Sequence, residues 1–305
     1  MGYDFDDAGR DGEDSHRAGN NARRWGPRGG TCAKGTEERG LKLTPFSHVT
    51  MVDGAPQLVS GVIPLTGLVV IWGAPKSGKS FKTFDLVMHV ARGLEYRGRK
   101  VKQGPVAYCI FEGQTGFQKR IAAYRKHHRI GASERVPFWL MPTRIDLAKQ
   151  WRTLVEAIKC DMPESPACIV LDTLNRSLIG SESKDEDMAR WIDAADGLRE
   201  EFDCVVIIVH HCGWDGARSR GHSSLIGAVA AEISVKRHAD KNILLTVEQM
   251  RDGEPGDVIA SRLEAVEVGQ DPDGDPITSC VVGPIDSYSR PRQTSPELPK
   301  PHSIC

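Results

Sequence analysis

Gly73, Ala74, Pro75, Lys76, Ser77, Gly78, Lys79 and Ser80 carry the spacing Gly-x-x-x-x-Gly-Lys-Ser. Glycines let a turn wrap closely enough to aim several backbone N–H groups at one anion, and a helix starting there adds its positive end. A lysine at the seventh position can reach the β- and γ-phosphates of a nucleotide, and the serine hydroxyl beside it can sit on Mg2+. The pattern carries this meaning only between a strand and a helix. Both flanks are present: the apolar run Leu68-Val-Val-Ile-Trp72 comes before it, and Phe84, Val87, Met88 and Ala91 recur at helical spacing after it. The implied ligands are ATP and Mg2+, with Phe81 closing the cradle. The competing reading is a chance glycine turn.

Three other apolar runs end in residues that could do chemistry. Asp172 closes the run Ile169-Val-Leu-Asp172, and an acid at the carboxyl end of a buried parallel strand lies at the edge where nucleotides bind. It can hold the magnesium shell, or it can simply cap the next turn. Thr173 follows it, so the carboxylate that activates water has to come from elsewhere. Glu112, after the run 106–111, is the candidate; its alternative is an acid favoured by a helix dipole. His210, His211 and Cys212 end a third run. Adjacent strand residues point to opposite faces, which disfavours one shared tetrahedral metal. A histidine there could hydrogen-bond the γ-phosphate and report its loss to the following loop, or could cap the strand.

These strand ends need a scaffold. Apolar β-rich runs at 68–72, 106–111, 138–141, 168–171 and 204–209 alternate with helical patterns at 79 to about 93, up to about 128, 147–159 and 185–202. That alternation predicts an α/β fold with a mainly parallel sheet covered on both faces. After position 222 closer strands, 232–236, 243–247 and 262–268, fit an antiparallel extension of the same sheet. Residues 1–44 are rich in Gly, Asp, Arg and Asn, and 286–305 are rich in proline, so both are expected to be disordered tails around a single domain over 45–285.

Composition narrows the function classes. The 305 residues carry 27% charged and 39% hydrophobic side chains and a net charge of −1. Any affinity for nucleic acid therefore needs a local basic patch. The apolar runs are too short to cross a bilayer, no secretory signal is readable, and the eight cysteines are scattered. The expected setting is the cytoplasm, with reduced thiols and no membrane partner.

The chain resembles the RecA-like ATPases of the RepA plasmid-helicase type, found on plasmids and in phage-derived regions. The resemblance runs from about 61 to 282. It rests on Val62-Ile-Pro64, the glycine turn, Phe111-Glu112-Gly113, Leu171-Asp172-Thr173-Leu174, His210-His211-x-Gly213, Arg220-Gly221-His222-Ser223-Ser224-Leu225 and Met250-Arg251-Asp252-Gly253-Glu254. It implies a RecA-type core that assembles into rings, hexamers being one such size, and couples ATP hydrolysis to movement on single-stranded DNA. Lys79 and Ser80 would serve phosphate and magnesium, Asp172 magnesium, Glu112 the attacking water and His211 γ-phosphate sensing. In such a ring the loop after 211 would face the channel, where Arg218 and Arg220 can meet phosphates and Trp214 can stack on a base.

The chain also departs from that pattern. The family supplies an arginine to the neighbour's ATP from the segment matching 227–231, which holds none here; Arg251 and Arg220 are the remaining candidates. Gln249-Met250-Arg251 stands where relatives carry two basic residues, and Trp214 where they often carry lysine. Two readings follow: a ring-forming, DNA-stimulated ATPase or helicase of mobile-element replication, or a slow nucleotide-dependent scaffold that recruits replication or recombination partners.

Overall fold

The computed structural model describes residues 43–49, 56–211, 223–238 and 242–285. The chain divides into two units, Met1–Val49 and Thr50–Cys305. In the first, the described residues form one 3-10 turn, Phe46–His48. The tails expected over 1–44 and 286–305 lie outside the described residues apart from 43 and 44.

The second unit begins with a two-stranded antiparallel ribbon of β1 (Gln57–Val59) and β2 (Ile63–Pro64). Then follow β3 (Gly67–Gly73), α1 (Lys79–Arg92), β4 (Val106–Ile110), α2 (Gln114–His127), β5 (Phe138–Met141), α3 (Leu147–Asp161) and β6 (Cys168–Asp172). After a short α4 (Leu174–Ser177) come α5 (Asp185–Phe202), β7 (Val205–His211), α6 (Ser223–Ala228), β8 (Ala231–Arg237), β9 (Ile243–Met250), β10 (Val258–Gln270) and β11 (Pro276–Pro284). One nine-stranded sheet runs in the order β11-β10-β9-β8-β3-β7-β6-β4-β5.

β3 shows why its sequence is unbroken in hydrophobicity. Val69 and Ile71 enter the apolar cluster on one face, while Leu68, Val70 and Trp72 enter the cluster on the other. A strand covered on both faces has no side to leave polar. Helices α1 and α2 cover the first face, α3 and α5 the second. In α5 the buried residues Met188, Trp191, Ala195, Leu198 and Phe202 recur every three or four positions, and three acids in its first turn complement the helix dipole.

The strands after position 222 are present, with one change of direction. β8 runs parallel to β3, and antiparallel pairing starts only at β9. β8 is entered from α6, by a crossover rather than a hairpin, and a crossover returns the chain to the edge it left. A further strand, β11, was not among those expected. It is an edge strand with proline at each end, and it pairs with β10 through a turn in which the Asp271 carboxylate accepts the N–H groups of Asp273 and Asp275. No helix among the described residues is long and apolar enough to cross a membrane.

Candidate functional site

Register brings the chemistry-bearing residues to one edge of the sheet. Gly73 of β3 stands opposite His211 of β7, Asp172 of β6 opposite Val209, and Ile110 of β4 opposite Asp172. The turn that holds Ala74, Pro75, Lys76 and Ser77, the acid of β6 and Glu112 just beyond β4 therefore share the carboxyl edge.

The turn itself is tightly built. Lys76 and Gly78 have φ of 62° and 98°, Ser77 donates its N–H to Ala74 O at 3.1 Å, and Gly78 O accepts the first helical bond from Lys82 N at 2.9 Å. A Cβ on Gly73 would lie 2.2 Å from the backbone oxygen of Val235, and one on Gly78 would lie 2.5 Å from Ile243 Cδ1. The turn is thus pressed against β8 and β9: backbone blocks a side chain at Gly73, and the left-handed φ disfavours one at Gly78. Lys79 is 5% exposed, and its ammonium donates to Gly73 O at 2.9 Å and Ala74 O at 2.8 Å. Ser77 Oγ is buried with no hydrogen-bond partner among the described residues. A buried hydroxyl in need of a partner, inside a cradle that a Cβ would fill, fits a phosphate-bearing ligand.

Asp172 is 2% exposed and uses both oxygens. Ser80 Oγ donates to Oδ1 at 3.2 Å, and the buried Tyr108 hydroxyl donates to Oδ2 at 2.7 Å. Burial pushes the Asp172 carboxyl above its ordinary range, and the bonds from Tyr108 and Ser80, then the charges of Arg120 and Lys79, pull it back. Two hard oxygens so close are the donor set Mg2+ takes, and the residues present fit that ion. The peptide bond after Asp172 is cis.

Three partners carry no local motif and were not anticipated. Tyr108 sits two residues before the end of β4, within the aromatic group of Phe84, Phe117 and Phe138. Arg120 of α2 lays its guanidinium 4.1 Å from the ring centre of Phe81, and its Nη1 is buried with no hydrogen-bond partner among the described residues. Arg176 of α4 places Nε 3.4 Å from Glu112 Oε2. Each meets its partner across the fold, so only register or packing could have exposed it.

The remaining candidates divide. His210 is fully buried while His211 is half-buried, as strand alternation requires. Arg251 is exposed at the opposite edge of the sheet, and its N–H donates to Ala230 O at 2.8 Å. A cavity of about 240 Å³ opens there, lined by residues including Gly227, Ala230, Glu232, Gln249 and Arg251. Trp214, Arg218 and Arg220 lie outside the described residues.

A family model described as "AAA domain" matches residues 44–217. No curated protein matches the sequence. Among solved structures, the ATPase domain of G40P superimposes with a TM-score of 0.51 at 12% identity, covering 68% of this chain and 88% of that one. A DnaB-like replicative helicase, described with its interactions with primase, gives 0.52 at 12% identity over 68% of this chain and 60% of its own. At such identity the likeness is one of fold. The family match spans more than half of the chain and takes in the phosphate turn, Glu112 and Asp172. The chain belongs to the AAA-domain family, and its fold is that of a RecA-like P-loop ATPase.

Proposed function

We propose that the protein binds ATP with Mg2+ at the turn 73–80 and hydrolyses it, as a ring-forming, DNA-stimulated ATPase of the RepA plasmid-helicase type in mobile-element replication. The observation that carries this reading is the Ser80–Asp172 pair beside the enclosed Lys79 ammonium. In this reading Lys79 exchanges its two carbonyl partners for phosphate oxygens, and the backbone N–H groups at the start of α1 and Ser77 Oγ complete the cradle. Ser80 and Asp172 would hold Mg2+, which would supply charge neutralisation on the phosphates. Glu112 orients a water and takes its proton as the water oxygen bonds to the γ-phosphorus. The bond from that phosphorus to the bridging oxygen breaks, releasing ADP and phosphate. His211, paired with Gly73, reports the γ-phosphate to the segment 212–222, whose Trp214, Arg218 and Arg220 meet single-stranded DNA. The ATPase domain covers 45–285, and the protein works in the cytoplasm.

A slower regulatory ATPase is the second reading, favoured by the absence of arginine from 227–231. Turnover by the purified chain with and without single-stranded DNA separates the two: DNA stimulation supports the motor, and DNA-independent slow turnover supports the scaffold. Lys79→Ala is expected to abolish tight ATP binding, and Glu112→Gln to keep ATP while losing turnover by ~10²-fold or more. Unchanged nucleotide affinity in Lys79→Ala would remove the assignment of the site.

A further inference from the structure

Glu112 is half-exposed just past the end of β4, outside any helix or strand. The backbone of its partner Arg176 is anchored. α4 leaves directly from the Asp172 strand and buries Leu174 and Ser177 completely. Trp191, fully buried in α5, donates its indole N–H to Ser177 Oγ at 3.1 Å. Arg144 Nε donates to the carbonyl of Arg176 at 2.8 Å. The guanidinium thus projects from a backbone pinned on both sides, and its Nε lies 3.4 Å from Glu112 Oε2.

We propose that Arg176 is a positioning residue for Glu112, an inference that rests on the reading of Glu112 as the base. With both side chains nearly half exposed, the pair adds little to folding. What it can supply is aim. Engaging Oε2 leaves Oε1 to face a water, and it ties the end of β4 to the end of β6, where Asp172 stands. An acid that swings freely would spend most of its time out of line with the attacking oxygen, and a misplacement of about 1 Å can cost ~10²-fold.

The test is steady-state ATP turnover by the full chain in five forms: parent, Arg176→Ala, Arg176→Lys, Glu112→Gln, and the Arg176→Ala, Glu112→Gln double variant. Arg176→Ala is expected to lower kcat about tenfold to a hundredfold while KM for ATP stays within about twofold. Arg176→Lys, which keeps the charge, is expected to recover part of that loss. In the Glu112→Gln background the Arg176→Ala change is expected to cost nothing further, because its effect passes through Glu112. Thermal melting checks the fold of each variant, and Arg176→Gln replaces Arg176→Ala if the latter melts early. A parental or increased kcat in Arg176→Ala, or an equal loss in both backgrounds, overturns the inference while leaving the ATPase reading intact. A parental rate in Glu112→Gln instead removes the base assignment on which it rests.

Discussion

One helical turn past the phosphate site, Lys82 is fully buried and donates to Ser261 Oγ at 2.7 Å. Burial lowers its pKa from 10.5 to about 7; the Asp85 carboxylate raises it, and Arg97 and Arg99 lower it further. The Tyr96 ring also faces it, 5.4 Å away. In the unfolded chain the same amine stays protonated up to about 10.5. Between about pH 7 and 10.5 the unfolded state therefore binds the extra proton, so stability rises with pH across that window. Lys82→Met, which needs no proton, is expected to lose this component. The stability difference between variant and parent should shift by about 2 kcal/mol in the parent's favour from pH 7 to pH 9. Urea midpoints at the two pH values check it, and parallel profiles would assign the slope to other groups. Lys79 is marked by its place in the glycine turn, whereas nothing local marks Lys82, three residues later, as a buried strut; only its contact with Ser261 of β10 does that. The same holds for Tyr108, Arg120 and Arg176, whose partners are set by register. The spacing of Lys79 and Ser80, and the strand-end position of Asp172, could be read because those features are local.

At the scale of elements, the phosphate turn depends on strands that come much later in the chain. Its first glycine has Val235 O where a Cβ would go, at 2.2 Å, and that oxygen belongs to β8's backbone and cannot rotate aside. Gly73→Ala must push β8 away from β3 at the point where the turn begins. The expected result is destabilisation by about 1–3 kcal/mol together with weakened ATP binding. Urea unfolding and a nucleotide titration measure the two effects, and an unchanged protein by both would mean that the sheet opens there at no cost. Helix positions were legible because a single apolar face imposes a spacing of three and four, as in α5. The parallel strands were legible as unbroken apolar runs. The direction of β8 and the existence of β11 were not, since strand direction depends on how the chain re-enters the sheet. β11, at the edge, buries only Val281, Val282 and Gly283, so no long apolar run marks it.

For the molecule as a whole, the position of Arg251 bears on whether one chain completes its own site. β3 begins at Gly67 and reaches the phosphate turn at Gly73, six residues or ~20 Å later. Arg251 lies at the starting edge: its N–H bonds to Ala230 O, and Ala230 N bonds to Leu68 O. It also adjoins 227–231, the segment from which the resembled helicases send an arginine to a neighbour, which makes it a candidate for that role. From that edge Arg251 cannot serve the phosphates of its own chain, and any catalytic part it plays is across a subunit boundary. Arg251→Ala is then expected to bind ATP normally but lose ~10³-fold in turnover, the scale of an arginine supplied to a transferring phosphoryl group. Lys79→Ala is inactive for a different reason, having a defective turn but an intact Arg251. Mixing the two inactive proteins should restore measurable turnover, because some boundaries then join an intact turn to an intact arginine. Recovery should grow with protein concentration, as assembly does. Parental turnover in Arg251→Ala alone would show that the site needs no charge from that edge. No recovery on mixing, with both single variants inactive, would mean that Arg251 does not act across a boundary.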